Sequence, residues 1–343
     1  MRQQLLAIGA AVALSGAVAA GTAAAAEKWS MATAWGGGPL LELMAKGAAA
    51  DIGLLTDGEI EVEVFPGGTL GSPLKVTNTI EKGVAQIGHN WAGYDWGIDR
   101  TAVLFGGFAG SLPPVEMLHW MYKGGGLQLY QEWRMEKFGV VVFPCGSIPR
   151  EIFMHSHKKV ETLADFKGMK VRTSGAWAEI AQSLGASTVI LAGAEVYPAL
   201  ERKVVDAIEW GTPSMNESHG FAKVAEYIIL PGLHQPVAFQ ECEINKAAWD
   251  KLSDRNKKLI ELATRDTTLN VWMQIGHDDA ISFQKYIDAG SQVVDVDDAF
   301  KAEAAKATAD WAAKQAAENA WFKRVWEHQQ AYAKQWAQAE RYR

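Results

Sequence analysis

The feature that most limits how this chain can fold is its repeated alternation of short β-like runs with amphipathic helical runs, the pattern of an α/β protein. KWSMAT (28–33) reads as a strand, and EIEVEVF (59–65) alternates with period two between turn residues Thr56-Asp57-Gly58 and Pro66-Gly67-Gly68. Further strands are expected at 85–90, 102–110, 140–146, 169–173, 187–191 and 204–210. Helical runs fall between them, at 40–54, 73–82, 114–122, 127–138, 177–184 and 194–202. EYIILPG and PVAFQECEIN add two extended runs. Ser253 is a good N-cap for the helix that follows, and SQVVDV is a last short strand. From Asp297 a single helix of some forty residues is expected. Trp311, Trp321, Phe322, Trp326, Tyr332 and Trp336 recur along it, an aromatic stripe that must cover a second domain or a second subunit.

Met1 to Ala26 reads as a secretory signal. Arg2 supplies the positive start, Leu5 to Val18 is apolar, and Ala23-Ala24-Ala25-Ala26 offers small residues for cleavage near Ala26. The apolar core is shorter than the ~20 residues a spanning helix needs, and no basic stop-transfer cluster follows. An exported, periplasmic protein is expected.

At 343 residues the chain suggests about two domains. A net charge of −7 excludes a general affinity for nucleic acid or anionic membranes, while leaving room for a local cationic pocket. There is no HExxH, no GxSxG and no Walker loop, so no cofactor is expected. With no CxxC and no paired His at ligand spacing, a zinc site is not expected either. Cys145 and Cys242 lie in apolar β-like stretches, and the reading favours two free buried thiols over a bridge.

Three consecutive stretches, DFKGMKVRTSGAWAEIAQSLGAS, GAEVYPALERKVVDAIEWGTPS and GFAKVAEYIILPG, resemble the periplasmic substrate-binding subunits of tripartite ATP-independent periplasmic (TRAP) transporters. VFPGGTLGSPLKVTNTIEKGVAQIGH is similar to the N-terminal signature of that family. The resemblance covers most of the mature chain and is nearest to the branch that binds 2-oxo acids and other monocarboxylates. It implies an α/β fold of two domains with the periplasmic binding protein architecture, a long bridging helix and a long C-terminal helix. One domain would be 27–147 plus about 237–280, the other 148–236 plus about 281–343. It also implies integral membrane permease subunits as partners and, because the branch includes swapped dimers, a homodimer through the C-terminal helix.

The family's central arginine falls at Arg172, at the end of a strand before Ser174-Gly175. A carboxylate suits the planar, permanently charged fork that only arginine provides. Arg150, in IPREIF, falls where the oxo-acid binders carry a glutamine that helps hold a bridging cation, alongside positions equivalent to Glu209 and Trp210. A guanidinium there is expected to replace the cation, so no metal is expected. Trp35, Trp91, Tyr94 and Trp177 sit after strands or in glycine-rich turns, where core packing and ligand contact are equally reasonable. Asn90 and Gln235 are candidate partners for ligand oxygens. His89 and His234 share that reading with a structural one. Tyr197, Pro198 and Glu201 are read as hinge and packing residues. The expected function is capture of a small organic carboxylate: a 2-oxo acid, a hydroxy acid or an aromatic monocarboxylate. The alternative is an exported hydrolase using Glu209 as acid or base.

Overall fold

Among the described residues, eleven strands form two sheets, and the chain passes between them more than once. The computed structural model describes residues 26–342. The expected signal segment therefore lies almost wholly outside the described residues. The first sheet has the order β2-β1-β3-β10-β4, from Ile60–Phe65, Glu27–Thr33, Ile87–Trp91, Ala238–Asn245 and Val140–Ile148. The second has the order β11-β9-β5-β8-β6-β7, from Gln292–Asp295, Tyr227–Leu230, Met154–Ser156, Ala207–Ile208, Lys170–Arg172 and Ser187–Val189. In both sheets the strands joined through helices pair in parallel, while β10 and β5 run against their neighbours. Each sheet is the centre of one α/β lobe. β4 leads out of the first lobe and β10 is where the chain returns, so these adjacent strands form a neck.

Two long helical segments also join the lobes. Asp254–Asp288 is a 35-residue helix, roughly 50 Å at 1.5 Å per residue. Ser253 caps it, its hydroxyl accepting from Asn256 N at 3.1 Å. One end packs on β4, and the other meets the helix Pro213–His219 of the second lobe. Among the described residues no helix is long and apolar enough to cross a membrane.

The forty-residue C-terminal helix is two helices, Asp298–Glu318 and Ala320–Ala339. Asn319 interrupts it in an extended conformation, and the Asn319 side chain explains why. Its Oδ1 accepts from Phe322 N at 3.0 Å, starting a new helix, and its Nδ2 donates to Asp99 Oδ1 at 2.7 Å. The first helix is anchored in the second lobe by Phe300, which packs on Phe153 and Phe166. The last helix lies on the first lobe, where Gln329 donates to Leu104 O and Arg324 pairs with Glu132. Residues beyond Asn319 thus ride with the first lobe, whereas the sequence-based boundary placed them in the second. Their aromatic stripe is covered within the chain: Trp326 packs on Phe108, and Trp336 on His119.

Two other expectations are corrected. Residues 102–106 form a short helix, not a strand. A run as short and uniformly apolar as AVLF carries no periodicity to separate the two. Cys145 and Cys242 are joined by a disulfide, with Cα atoms 5.3 Å apart and both residues fully buried. β10 pairs with β4, and a register shift at Gln240/Glu241 adjusts the alignment near the two cysteines. Neither the pairing nor the register is visible in a linear sequence.

Candidate functional site

Between the lobes lies a cavity of about 40 Å³. On the same measure one water needs roughly 10–15 Å³, so the closed space suits a molecule of a few heavy atoms. Trp35, Trp91 and Tyr94 wall it from the first lobe. Arg172, Ser174, Glu209 and Trp210 face them from the second, and Glu151, His234 and Gln235 come from the two crossing segments. The side chains thus come from strand ends and the loops beyond them, the usual place for ligands in open α/β sheets.

Arg172 ends β6 and is 1% exposed. Its Nη1 donates to Glu209 O at 2.8 Å and to Glu209 Oε1 at 3.3 Å, and Nη2 donates to Leu191 O at 3.0 Å. These bonds lock the guanidinium plane, with Cζ 5.2 Å from the centre of the Trp210 ring. Nε has no partner. A buried, oriented and incompletely bonded guanidinium has hydrogen-bonding capacity left for an anion. Burial pushes the Tyr94 phenol up to about 12, partly opposed by the Arg172 charge.

Beside this cation sit two buried carboxylates. Glu151 Oε2 lies 3.0 Å from His234 Nε2, which is 3.7 Å from Glu209 Oε2. Burial raises Glu151 to about 7, against the lowering effect of the His234 hydrogen bond. Acceptor atoms of Glu151, Glu209 and His234 lie within 4.8 Å of one another, a spacing that fits a metal ion. With both acids ionised, one guanidinium does not balance them. The donor set therefore favours a cation or a proton whenever an anion enters.

Of the residues singled out in the sequence, Arg172, Glu209, Trp210, Trp35, Trp91, Tyr94, His234 and Gln235 meet at the cavity. Arg150, Asn90, Trp177 and His89 do not line it. Arg150 is exposed and donates to Gly232 O at 3.1 Å. Asn90 points into the first lobe, its Nδ2 donating to Glu243 Oε1 at 3.1 Å. Trp177 is buried against Phe153, with ring centres 5.7 Å apart. His89 is structural: Trp35 Nε1 donates to its Nδ1 at 2.6 Å, and its Nε2 bonds Cys145 O at 3.1 Å. Burial lowers it to about 4, so it stays neutral while it orients Trp35. Tyr197 borders an outer groove with Trp35, Trp210 and the Gly36-Gly37-Gly38 loop. Glu151 was missed, although it adjoins Arg150.

Two lobes hinged on crossing segments, with a locked guanidinium and indole walls between them, define a receptor that encloses a small solute. The chain matches the bacterial extracellular solute-binding protein family 7 over residues 32–319, and it belongs to that family. A curated relative is a monocarboxylate 2-oxoacid-binding periplasmic protein of Nostoc sp., 28% identical over 312 residues, covering 90% of this chain and 84% of the relative. A TRAP transporter solute-binding protein from Bordetella bronchiseptica superposes with a TM-score of 0.87 at 24% identity, covering 92% of this chain and 94% of that one. It was solved as a mixed-occupancy dimer with copurified calcium and picolinate. A TRAP periplasmic solute-binding protein from Pseudoalteromonas atlantica, with bound sodium and pyruvate, gives 0.87 at 24%, covering 92% and 97%. Nothing in these comparisons supports the hydrolase alternative.

Proposed function

We propose that this chain is the periplasmic subunit of a TRAP-type transporter and that it closes around a small monocarboxylate, foremost a 2-oxo acid. The observation that carries this reading is the buried Arg172, held by three bonds with Nε left unused at the cavity. A carboxylate would take the open edge of that guanidinium, and Trp35, Trp91 and Trp210 would enclose the carbon skeleton. The small cavity and the single cavity-lining arginine favour one carboxylate over two. The Nostoc relative and the pyruvate-bound neighbour point the same way. An aromatic monocarboxylate is the second reading, favoured by the indole walls and the picolinate of the Bordetella protein.

Arg150, outside the cavity and bonded to Gly232 O, is not positioned to stand in for a cation there. Glu151, Glu209 and His234 would hold a metal ion, which would offset the two carboxylates and attract the ligand's oxygens. Export with cleavage near Ala26, membrane permease subunits and a homodimer through the C-terminal helices complete the proposal. The dimer is supported by the Bordetella protein, and sedimentation velocity checks it. The direct test is a thermal-shift and calorimetric screen of organic acids with calcium, sodium or chelator. Pyruvate or a close 2-oxo acid should raise the melting temperature without being converted. Stabilisation by neutral sugars, with none by any carboxylate, would overturn the reading.

A further inference from the structure

The two lobes meet outside the cavity as well as within it, and one contact there is charged. Arg100 follows the 3₁₀ turn Ala92–Gly97 that carries Tyr94, on the first lobe. Its Nη2 donates to Glu179 Oε1 at 2.8 Å. Glu179 stands on the helix Ala176–Ser183 of the second lobe, which begins four residues after Arg172. Among the described residues this is the ion pair that directly joins the first lobe's loops to the second lobe's sheet layer.

Each partner also has a second anchor. Arg100 Nη1 donates to Trp96 O at 2.6 Å, and its Cζ lies 4.3 Å from the centre of the Trp96 ring. The other oxygen of Glu179 accepts from Trp311 Nε1 at 2.7 Å. Trp311, on the helix Asp298–Glu318, packs on Phe108 of the first lobe. Neither Arg100 nor Glu179 lines the cavity. Nearby, the Trp91 ring leaves no space beside Gly175: a Cβ there would lie 2.8 Å from the indole, and the backbone has φ +62°. The lobes therefore close in register here, indole on glycine, with the ion pair just outside.

We infer that Arg100 and Glu179 form a closure latch, positioning residues that hold the lobes shut over the ligand without touching it. The inference rests on the proposed solute-binding function. A pair between lobes can form only when they approach, so it contributes to the closed state and not to the open one. It therefore acts on ligand release. Both side chains are about one-third exposed, so the direct interaction is modest.

The test measures pyruvate binding, in calcium-containing buffer, to wild type, Arg100→Gln, Glu179→Gln, the double variant and Arg100→Glu. Stopped-flow tryptophan fluorescence reads the rates, since Trp35, Trp91 and Trp210 line the cavity. The latch predicts that each single Gln variant releases pyruvate about 2–5 times faster, with association unchanged and with the ligand-free melting temperature at the wild-type value. The double variant should be no worse than either single one. Arg100→Glu, which puts two acids together, should release the ligand at least tenfold faster, and raised salt should narrow the gap between wild type and the Gln variants. Wild-type release from Arg100→Glu, or a loss confined to the association rate, overturns the latch. A wild-type protein that takes up no 2-oxo acid overturns the functional reading on which the latch rests.

Discussion

Replacing Arg172 by lysine tests whether a fork, and not merely a positive charge, holds the ligand. The native guanidinium uses Nη1 on the Glu209 carbonyl and on Glu209 Oε1, and Nη2 on Leu191 O, while Nε has no protein partner and is free for the ligand. A lysine brings one nitrogen with three hydrogens. Two or three of those are claimed by the same fixed acceptors, so at most one charge-assisted bond reaches a carboxylate. A hydrogen bond to a charged group contributes about 1.5–3 kcal/mol. Losing one of two such bonds should weaken binding about 10- to 150-fold, at 1.4 kcal/mol per decade. Alanine removes both and leaves the buried Glu209 unpaired beside the incoming anion, so the loss should exceed about 100-fold and reach roughly 10,000-fold. Isothermal titration with pyruvate in calcium buffer measures these ratios, and circular dichroism checks that the lobes remain folded. A lysine variant within twofold of wild type would refute the fork argument. An alanine variant within twofold would remove Arg172 from the site.

The carboxylates and histidines give further expectations. As pH rises through about 7, Glu151 loses its proton and adds negative charge beside the ligand. Pyruvate affinity in chelator should therefore fall over that range, and Glu151→Gln should flatten the titration curve. His155 is fully buried between Phe221 and Tyr286 with both ring nitrogens unpartnered, and desolvation lowers it to about 3. The unfolded chain binds its proton near 6.5 and the native protein does not. Stability is thus lost as pH falls below about 6.5, at up to about 1.4 kcal/mol per unit towards pH 3. His155→Phe should reduce that acid sensitivity in urea melts and add about 1–3 kcal/mol at neutral pH by removing the unsatisfied nitrogens. The disulfide closes a loop of sequence separation 97, for which chain entropy gives about 4–5 kcal/mol. Cys145→Ala with Cys242→Ala should shift the denaturation midpoint accordingly, and reductant should have no effect on that variant.

The alternation of elements was legible because turn chemistry separates many of the runs and some helices, those after Thr162 and Ser253 among them, open on a capping side chain. Thr162 and Ser253 cap their helices through side-chain oxygens, as their positions in the sequence suggest. Arg172 was legible because it ends a strand within a distinctive motif. What escaped depends on direction and register. The cavity takes the residue after Arg150: Glu151 faces inward and Arg150 outward, as neighbours in an extended segment do. Asn90 and Trp177 follow the same logic, each near the cleft in sequence but turned into a core. The break at Asn319 depends on Asp99, 220 residues earlier, and no local propensity announces that partner.

The buried bond between Cys145 and Cys242 spans the neck through which the second lobe is inserted into the first. Every strand of that lobe except β11 lies between the two sulfurs in sequence. Chain cleavage anywhere in the inserted segment would therefore leave two polypeptides still fastened at the root of the insertion. On a gel they should run as one band until thiol is added. A receptor cut within its second lobe can thus keep both halves of its solute cleft on a single particle.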